Sequence, residues 1–204
     1  MISTGKKRRL LRWRLTMLAS LVSPVFVLVF LAYLQSRPNT AGAILTGPFD
    51  GERAFADLKR IVSFGPRPSG SPALQRCRSF IIDELHMANV QVSEDAFTAT
   101  TPIGPIAMTN IVATIPGTNP SIVIIGGHYD TKRLPTRVVG ANDGGSSAAF
   151  LLELARDLSR RKDKLTYWIV FFDGEEAVSR WSAVDGLYGS RHFAKRITER
   201  RLQG

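Results

Sequence analysis

The sequence predicts an α/β fold, and two apolar runs with a helical stripe between them carry the prediction. Ser121 to Gly127 reads SIVIIGG and Trp168 to Phe172 reads WIVFF. Both are too short to span a membrane and fit strands inside a sheet, the second buried on both faces. Leu151, Leu152, Ala155 and Leu158 recur at helical spacing over Ala148 to Leu158, the stripe of an amphipathic helix. Strand, helix, strand with both strands apolar is a βαβ unit, so the two strands are expected to be parallel with a right-handed crossover. The third observation is the placement of polar residues. His128 and Asp130 follow the first run, and Glu175 and Glu176 follow the second across the Asp173-Gly174 break.

The remaining elements follow in chain order. The formal net charge of the 204-residue chain is +10, but Lys6, Lys7, Arg8, Arg9, Arg12 and Arg14 supply six of those charges before the first acid, leaving +4 for the rest. The high charge is therefore a property of residues 1–14, and nucleic-acid binding does not follow from it. Leu15 to Leu34 is uncharged and mainly apolar, long enough to cross the roughly 30 Å hydrocarbon core of a bilayer as a helix. With the basic segment in front, this run reads as a transmembrane signal anchor over 15–34. The positive-inside rule then puts residues 1–14 in the cytoplasm and everything beyond in the periplasm or outside the cell. A cleaved signal peptide is the rival, because Thr40-Ala41-Gly42-Ala43 holds an A-x-A pattern, yet the apolar run exceeds the usual length of such a core. Residues 35–50, rich in Pro, Gly, Thr and Ala, read as a linker to a globular part over 51–204.

Glu52 to Phe64 has Phe55, Leu58, Ile61 and Val62 at helical spacing. Gly65 to Pro72 is a turn in which Ser71 should cap a second helix opening at Pro72 and running to about Met87. The one cysteine, Cys77, falls on that helix and excludes any disulfide within the chain. His86, near its end, reads as exposed. Val90 to Ala99 and Ala107 to Ile115 are candidate strands around a Thr101–Pro105 break, able to pair as a hairpin.

In an open parallel sheet, residues just past the C-terminal ends of neighbouring strands share one crevice. His128, Asp130, Glu175 and Glu176 meet that condition, and Asp143 lies on the loop entering the crossover helix at the same end. Singly, His128 could be a satisfied histidine, Asp130 a loop acid and Asp143 only a helix cap. Adjacent carboxylates repel, however, and a cation relieves the repulsion. One glutamate could then bind the ion while its neighbour shuttles a proton. Imidazole with carboxylates is a donor set suited to zinc.

GGHYDTK, GANDGGSSAAFLLELARDL and FFDGEEA resemble the metal-site segments of the zinc-dependent M28-type peptidase superfamily, and FGPRPSGS resembles its N-terminal segment. Phe171 to Ala177 with Trp181-Ser182, Asp185 and Leu187 to His192 is similar to the glutaminyl-peptide cyclotransferases, or glutaminyl cyclases. The resemblance covers about 51–204. It implies a three-layer αβα, zinc-exopeptidase-like sheet, mixed and mostly parallel. It also implies that Asp143 and Glu176 bind zinc, that Glu175 is the general acid/base and that Trp181 lines the pocket for the substrate side chain. His128 and Asp130 are implied near the site, His128 outside the metal's direct ligands in the one-zinc cyclases. The implied activity is conversion of N-terminal glutamine on peptides or proteins to pyroglutamate with release of ammonia. An M28-type aminopeptidase holding two zinc ions is the alternative, and a non-catalytic membrane-anchored fragment a second one. The family pattern adds a histidine ligand and further aspartates in a later segment, which the chain does not reach by Gly204. Relative to the family it is expected to be incomplete at the C-terminus, with two of three zinc ligands. His192 is implied on a helix without a ligand role.

Overall fold

A computed structural model of the chain describes residues 49–161 and 163–202, with side chains as far as Glu199. The basic segment 1–14, the expected membrane span 15–34 and the linker as far as residue 48 lie outside them. Among the described residues no helix is long and apolar enough to cross a membrane.

Helix α1 runs Gly51–Ser63, capped by Asp50, whose side chain accepts from the Arg53 N–H. Asp50 N–H also donates to Glu153 at 3.0 Å, and the Phe49 ring packs 5.5 Å from that of Phe150. The folded unit thus begins inside the segment read as linker, because a cap and an aromatic contact tie down residues whose composition looks loose. Helix α2 runs Pro72–Met87, with Ser71 accepting from the Leu74 N–H and Pro in its first turn, as the sequence predicts. Cys77 is fully buried on it, and burial pushes its thiol up to about 12. His86 is exposed.

Strands β1 (Gln91–Thr101) and β2 (Gly104–Ile115) form an antiparallel hairpin in register from Gln91↔Thr114 to Thr101↔Gly104. The break between them is only Pro102-Ile103, since Gly104 adopts φ +102° and Thr101 Oγ1 donates to the Gly104 carbonyl at 2.6 Å. Strand β3 (Ile122–His128), helix α3 (Ser146–Ser159) and strand β4 (Thr166–Phe172) make the predicted unit, with β3 and β4 adjacent and parallel from Ile122↔Thr166 to His128↔Phe172. Helix α4 is Tyr188–Leu202.

The sheet order is β1-β2-β4-β3. Here the expectation of a mostly parallel sheet is corrected: among the described residues β1–β2 and β2–β4 pair antiparallel, and only β3–β4 is parallel. The place beside β4 is filled by a hairpin strand rather than by another crossover unit, and a tight hairpin can only join antiparallel strands.

The layers follow from the two-residue alternation of strands. Ile111, Ala113, Ile115, Ile169 and Phe171 enter one core with Ile61, Cys77, Ile81, Leu151 and Leu152 of the first three helices. Val112 and Val170 face the other way, against Phe193 of α4. Trp168 and Phe172 meet the Phe193 ring edge-on at 6.3 and 5.8 Å. These are the predicted helical, sheet and helical layers. Strand β4 has Ile169, Val170 and Phe171 buried on both faces, whereas Ile122 and Ile124 on β3 stay 45% and 44% exposed. The SIVIIGG run is therefore half-covered, because α4 packs over β1, β2 and β4.

Candidate metal centre

Register brings the site together. His128 at the end of β3 pairs with Phe172 at the end of β4, so the residues that follow each strand emerge at one edge, and the Tyr129 N–H donates to the Phe172 carbonyl at 3.1 Å. Asp130, 1% exposed, is more than a neighbour of the site. Its two carboxylate oxygens accept the Glu175 and Glu176 N–H groups at 3.2 and 3.1 Å, fixing the backbone that carries both glutamates.

Asp143 lies in an irregular turn, Ala141–Gly145, with extended angles of φ −104° and ψ 105°. Gly144 beside it has φ +85°, and a Cβ there would meet the Asp130 carbonyl at 2.3 Å. Only glycine lets the turn press against the end of β3. The reading of Asp143 as a mere helix cap fails, since the α3 cap position is Gly145 and no side chain bonds there. Its carboxylate, 70% exposed, instead stands 3.1 Å from His128 Nε2.

His128, Asp143 and Glu176 each offer a donor atom, all within 4.8 Å of one another. His128 thus lies beside the two acids and contributes an atom to this group. Its Nδ1 is buried without a hydrogen bond; Asp130 Oδ1 lies 3.4 Å away, near enough for attraction but not aligned as an acceptor.

The electrostatics point the same way. Burial opposes protonation of His128, but Asp130, Asp143 and Glu176 outweigh it and raise its pKa. Burial raises the Glu176 carboxyl above its ordinary range, with Asp143 and Asp130 adding repulsion. Acids that can shed this repulsion only by taking up a proton or a cation, beside an imidazole, fit a divalent ion of the zinc type.

Glu175 is held differently. Its Oε1 accepts the Ser190 N–H at 2.8 Å, in the first turn of α4, where the helix dipole favours negative charge. Burial still prevails and raises its carboxyl above the usual range. Two residues before Glu175, the buried Asp173 accepts from Ser69 Oγ at 2.7 Å and the Thr109 N–H at 2.9 Å. Burial, with the charge of Asp130, pushes Asp173 up to about 7.

Trp181 is 54% exposed on the loop between β4 and α4, and Lys132 Nζ donates to the Ala177 carbonyl in the same loop. His192 lies on α4 outside the donor group, 3.0 Å from Asp95 and stacked on Phe97. Sequence reasoning passed over Asp173, Ser190 and Lys132. Asp173 alone had a local signal, an acid closing an apolar strand; the others act through contacts distant in sequence.

A mixed sheet between helical layers gathers a histidine and acids past the ends of two parallel strands, a donor group suited to a metal ion. Residues 110–203 match Peptidase family M28. The chain is 32% identical over 207 residues to the glutaminyl-peptide cyclotransferase-like protein of Bos taurus, covering 88% of this chain and 54% of that one. It is 37% identical over 149 residues to the glutaminyl-peptide cyclotransferase of Gloydius blomhoffii, covering 64% and 40%. The crystal structure of an Acidobacteriales bacterium glutaminyl cyclase superposes with a TM-score of 0.71 at 34% identity, over 79% of this chain and 58% of that one. These matches support the glutaminyl cyclase family within the M28 peptidase superfamily, and the chain spans about half the length of these relatives.

Proposed function

We propose that the protein is a zinc-dependent glutaminyl-peptide cyclotransferase acting on the N-terminal glutamine of peptides and proteins. The observation that carries this reading is Glu175, a half-buried carboxyl with a raised pKa, fixed next to the acid-rich donor group. Asp143 and Glu176 would hold one zinc, which supplies Lewis-acid polarisation of the substrate's γ-carboxamide carbonyl when bound. Glu175 takes a proton from the α-amino nitrogen as that nitrogen bonds to the γ-carboxamide carbon. It gives a proton to the amide nitrogen as the carbon–nitrogen bond breaks, so ammonia leaves and the ring remains. A carboxyl whose pKa is raised toward neutrality suits both halves of that exchange. Asp130 keeps the backbone of Glu175 and Glu176 in place, and Trp181 presents an aromatic wall to the glutamine side chain.

His128 within the donor group is the observation that favours the aminopeptidase alternative, in which two zinc ions are held and Glu175 activates water. The products separate the readings: a Gln-initiated peptide incubated with the zinc-supplemented protein yields ammonia and a blocked N-terminus for the cyclase, or free glutamine for the peptidase. Neither product at any zinc concentration would favour the non-catalytic fragment.

We also infer that residues 15–34 anchor the chain in a membrane with the domain on the periplasmic or outer side, supported by the basic residues preceding the apolar run. A reporter fused after Gly204 and active only in the cytoplasm would overturn this.

A further inference from the structure

The loop between β4 and α4 is held by a buried carboxylate that the proposed chemistry does not use. Asp185 is 2% exposed. Its Oδ1 accepts the Val178 N–H at 2.7 Å and the Tyr188 hydroxyl at 2.9 Å. Its Oδ2 accepts the Ser179 and Arg180 N–H groups at 2.9 and 2.8 Å. Three successive backbone donors on one carboxylate leave the segment before Trp181 little freedom. The segment after it is tied as well, since Ser182 N–H donates to the Asp185 carbonyl and Ser182 Oγ accepts from Val184 and Asp185 N–H.

The Trp181 ring lies against Gly186, the residue after Asp185. A Cβ on Gly186 would come within 2.6 Å of Trp181 Cζ3, and its φ of +111° also disfavours any side chain. One face of the indole is therefore seated on backbone while the residue stays half-exposed. Leu187 follows with φ +56°, a conformation unusual for a residue with a side chain. Its N–H donates to the Glu175 carbonyl and that of Tyr188 to the Gly174 carbonyl, so the loop closes directly on the glutamate pair.

We propose that Asp185 is a positioning residue that fixes the Trp181 ring at a set place relative to Glu175, making the indole a preformed wall for the side chain of an N-terminal glutamine. An exposed indole held rigid costs little further ordering when a ligand packs against it. The ligand part of this inference rests on the proposed cyclotransferase reading; the positioning part does not.

The test uses the full chain with Trp13 and Trp168 replaced by phenylalanine, so that fluorescence reports Trp181 alone. Asp185→Asn puts an amide donor against one or more of these donors, and it is expected to lower Trp181 anisotropy and raise acrylamide quenching. Zinc affinity should stay unchanged, because Asp185 touches none of the donor residues. Gly186→Ala, which displaces the ring without touching the carboxylate, should shift the same signals if Asp185→Asn fails to fold. Affinity of the zinc-loaded protein for a Gln-initiated peptide should fall about tenfold in both variants, the size of losing one packed contact. Unchanged Trp181 anisotropy and quenching in the folded variants would overturn the positioning role. Mobile Trp181 with unchanged peptide affinity, or no peptide binding by the parent protein, would leave the latch and overturn the ligand assignment.

Discussion

Two groups of charged side chains in this domain are built on opposite rules. Between α1, α2 and α3, Arg156 reaches Asp57, Glu84 and Glu153, while Arg53 forks onto Glu153. Glu153 is fully buried, yet its carboxyl stays below the ordinary range because the two arginines and the Asp50 N–H outweigh burial. At the sheet edge, Asp130, Asp143, Glu175 and Glu176 surround His128, and both glutamates are raised. Lys132 spends its ammonium on the backbone carbonyls of Ala177 and Ser179. The helix network carries arginine counter-charge among its acids, although burial still leaves the Asp57 carboxyl raised, and it serves the fold. The sheet edge leaves its charge uncompensated, which is how a protein prepares a place for a cation or a proton.

That contrast can be broken from either side. The largest effect is expected at Glu175, where Gln keeps the shape but cannot carry a proton. With a Gln-initiated peptide, Glu175→Gln should lower kcat by about 10²- to 10⁴-fold while zinc content by metal analysis stays at the parent level. Retained turnover would remove Glu175 from the chemistry. In the helix network, Arg156→Ala strands Asp57 and Glu84, and breaking a buried pair costs about 3–5 kcal/mol. Denaturant unfolding should show that loss with zinc affinity little changed, the reverse of a site mutation.

Asp143→Ala should do the opposite. Zinc affinity, read by competition with a chromophoric chelator, should fall about a hundredfold or more, since even outer partners of metal ligands are worth tenfold to a hundredfold. The metal-free protein should keep or slightly gain stability, because one of several mutually repelling acids is gone. The smallest effect belongs to Asp173, raised to about 7. A carboxyl whose folded pKa exceeds its unfolded value contributes stability that is fully present below the unfolded pKa and lost as pH rises through the folded one. From about pH 5 to about pH 7 the parent should lose about 2 kcal/mol through this group. Asp173→Asn cannot ionise and still offers an amide oxygen to accept one of the two donors, Ser69 Oγ or the Thr109 N–H, so it should flatten that slope in thermal melts taken across the range. An unchanged slope would show that Asp173 ionises normally.

Much of the fold was legible because its signals are local. Ser71 before Pro72 marks a helix start through one side-chain bond to Leu74, three residues on. The stripe from Leu151 to Leu158 shows a helix through its own period. The apolar runs mark strands, and the βαβ order makes those two strands parallel neighbours, so His128, Asp143 and Glu176 could be assigned to one edge from order alone. The antiparallel side of the sheet was not legible in that way. Nothing in β2 says that it lies beside β4, because that choice depends on which hydrophobic faces fit together across some sixty residues, not on either segment's composition.

The sequence by itself determined the elements, the edge where the acids collect and the residue types that suit a metal, since periodicity, capping and strand-end placement are set by near neighbours. Tertiary structure alone decided the work of the supporting residues. Asp130 could have been a loop acid until its oxygens met two backbone N–H groups 45 and 46 residues away. Glu175 gained its helix-end partner only when α4 folded back to place the Ser190 N–H against it. A hydrogen bond needs its donor and acceptor within about 3 Å and aligned, and over such separations along the chain only the packed fold brings them there.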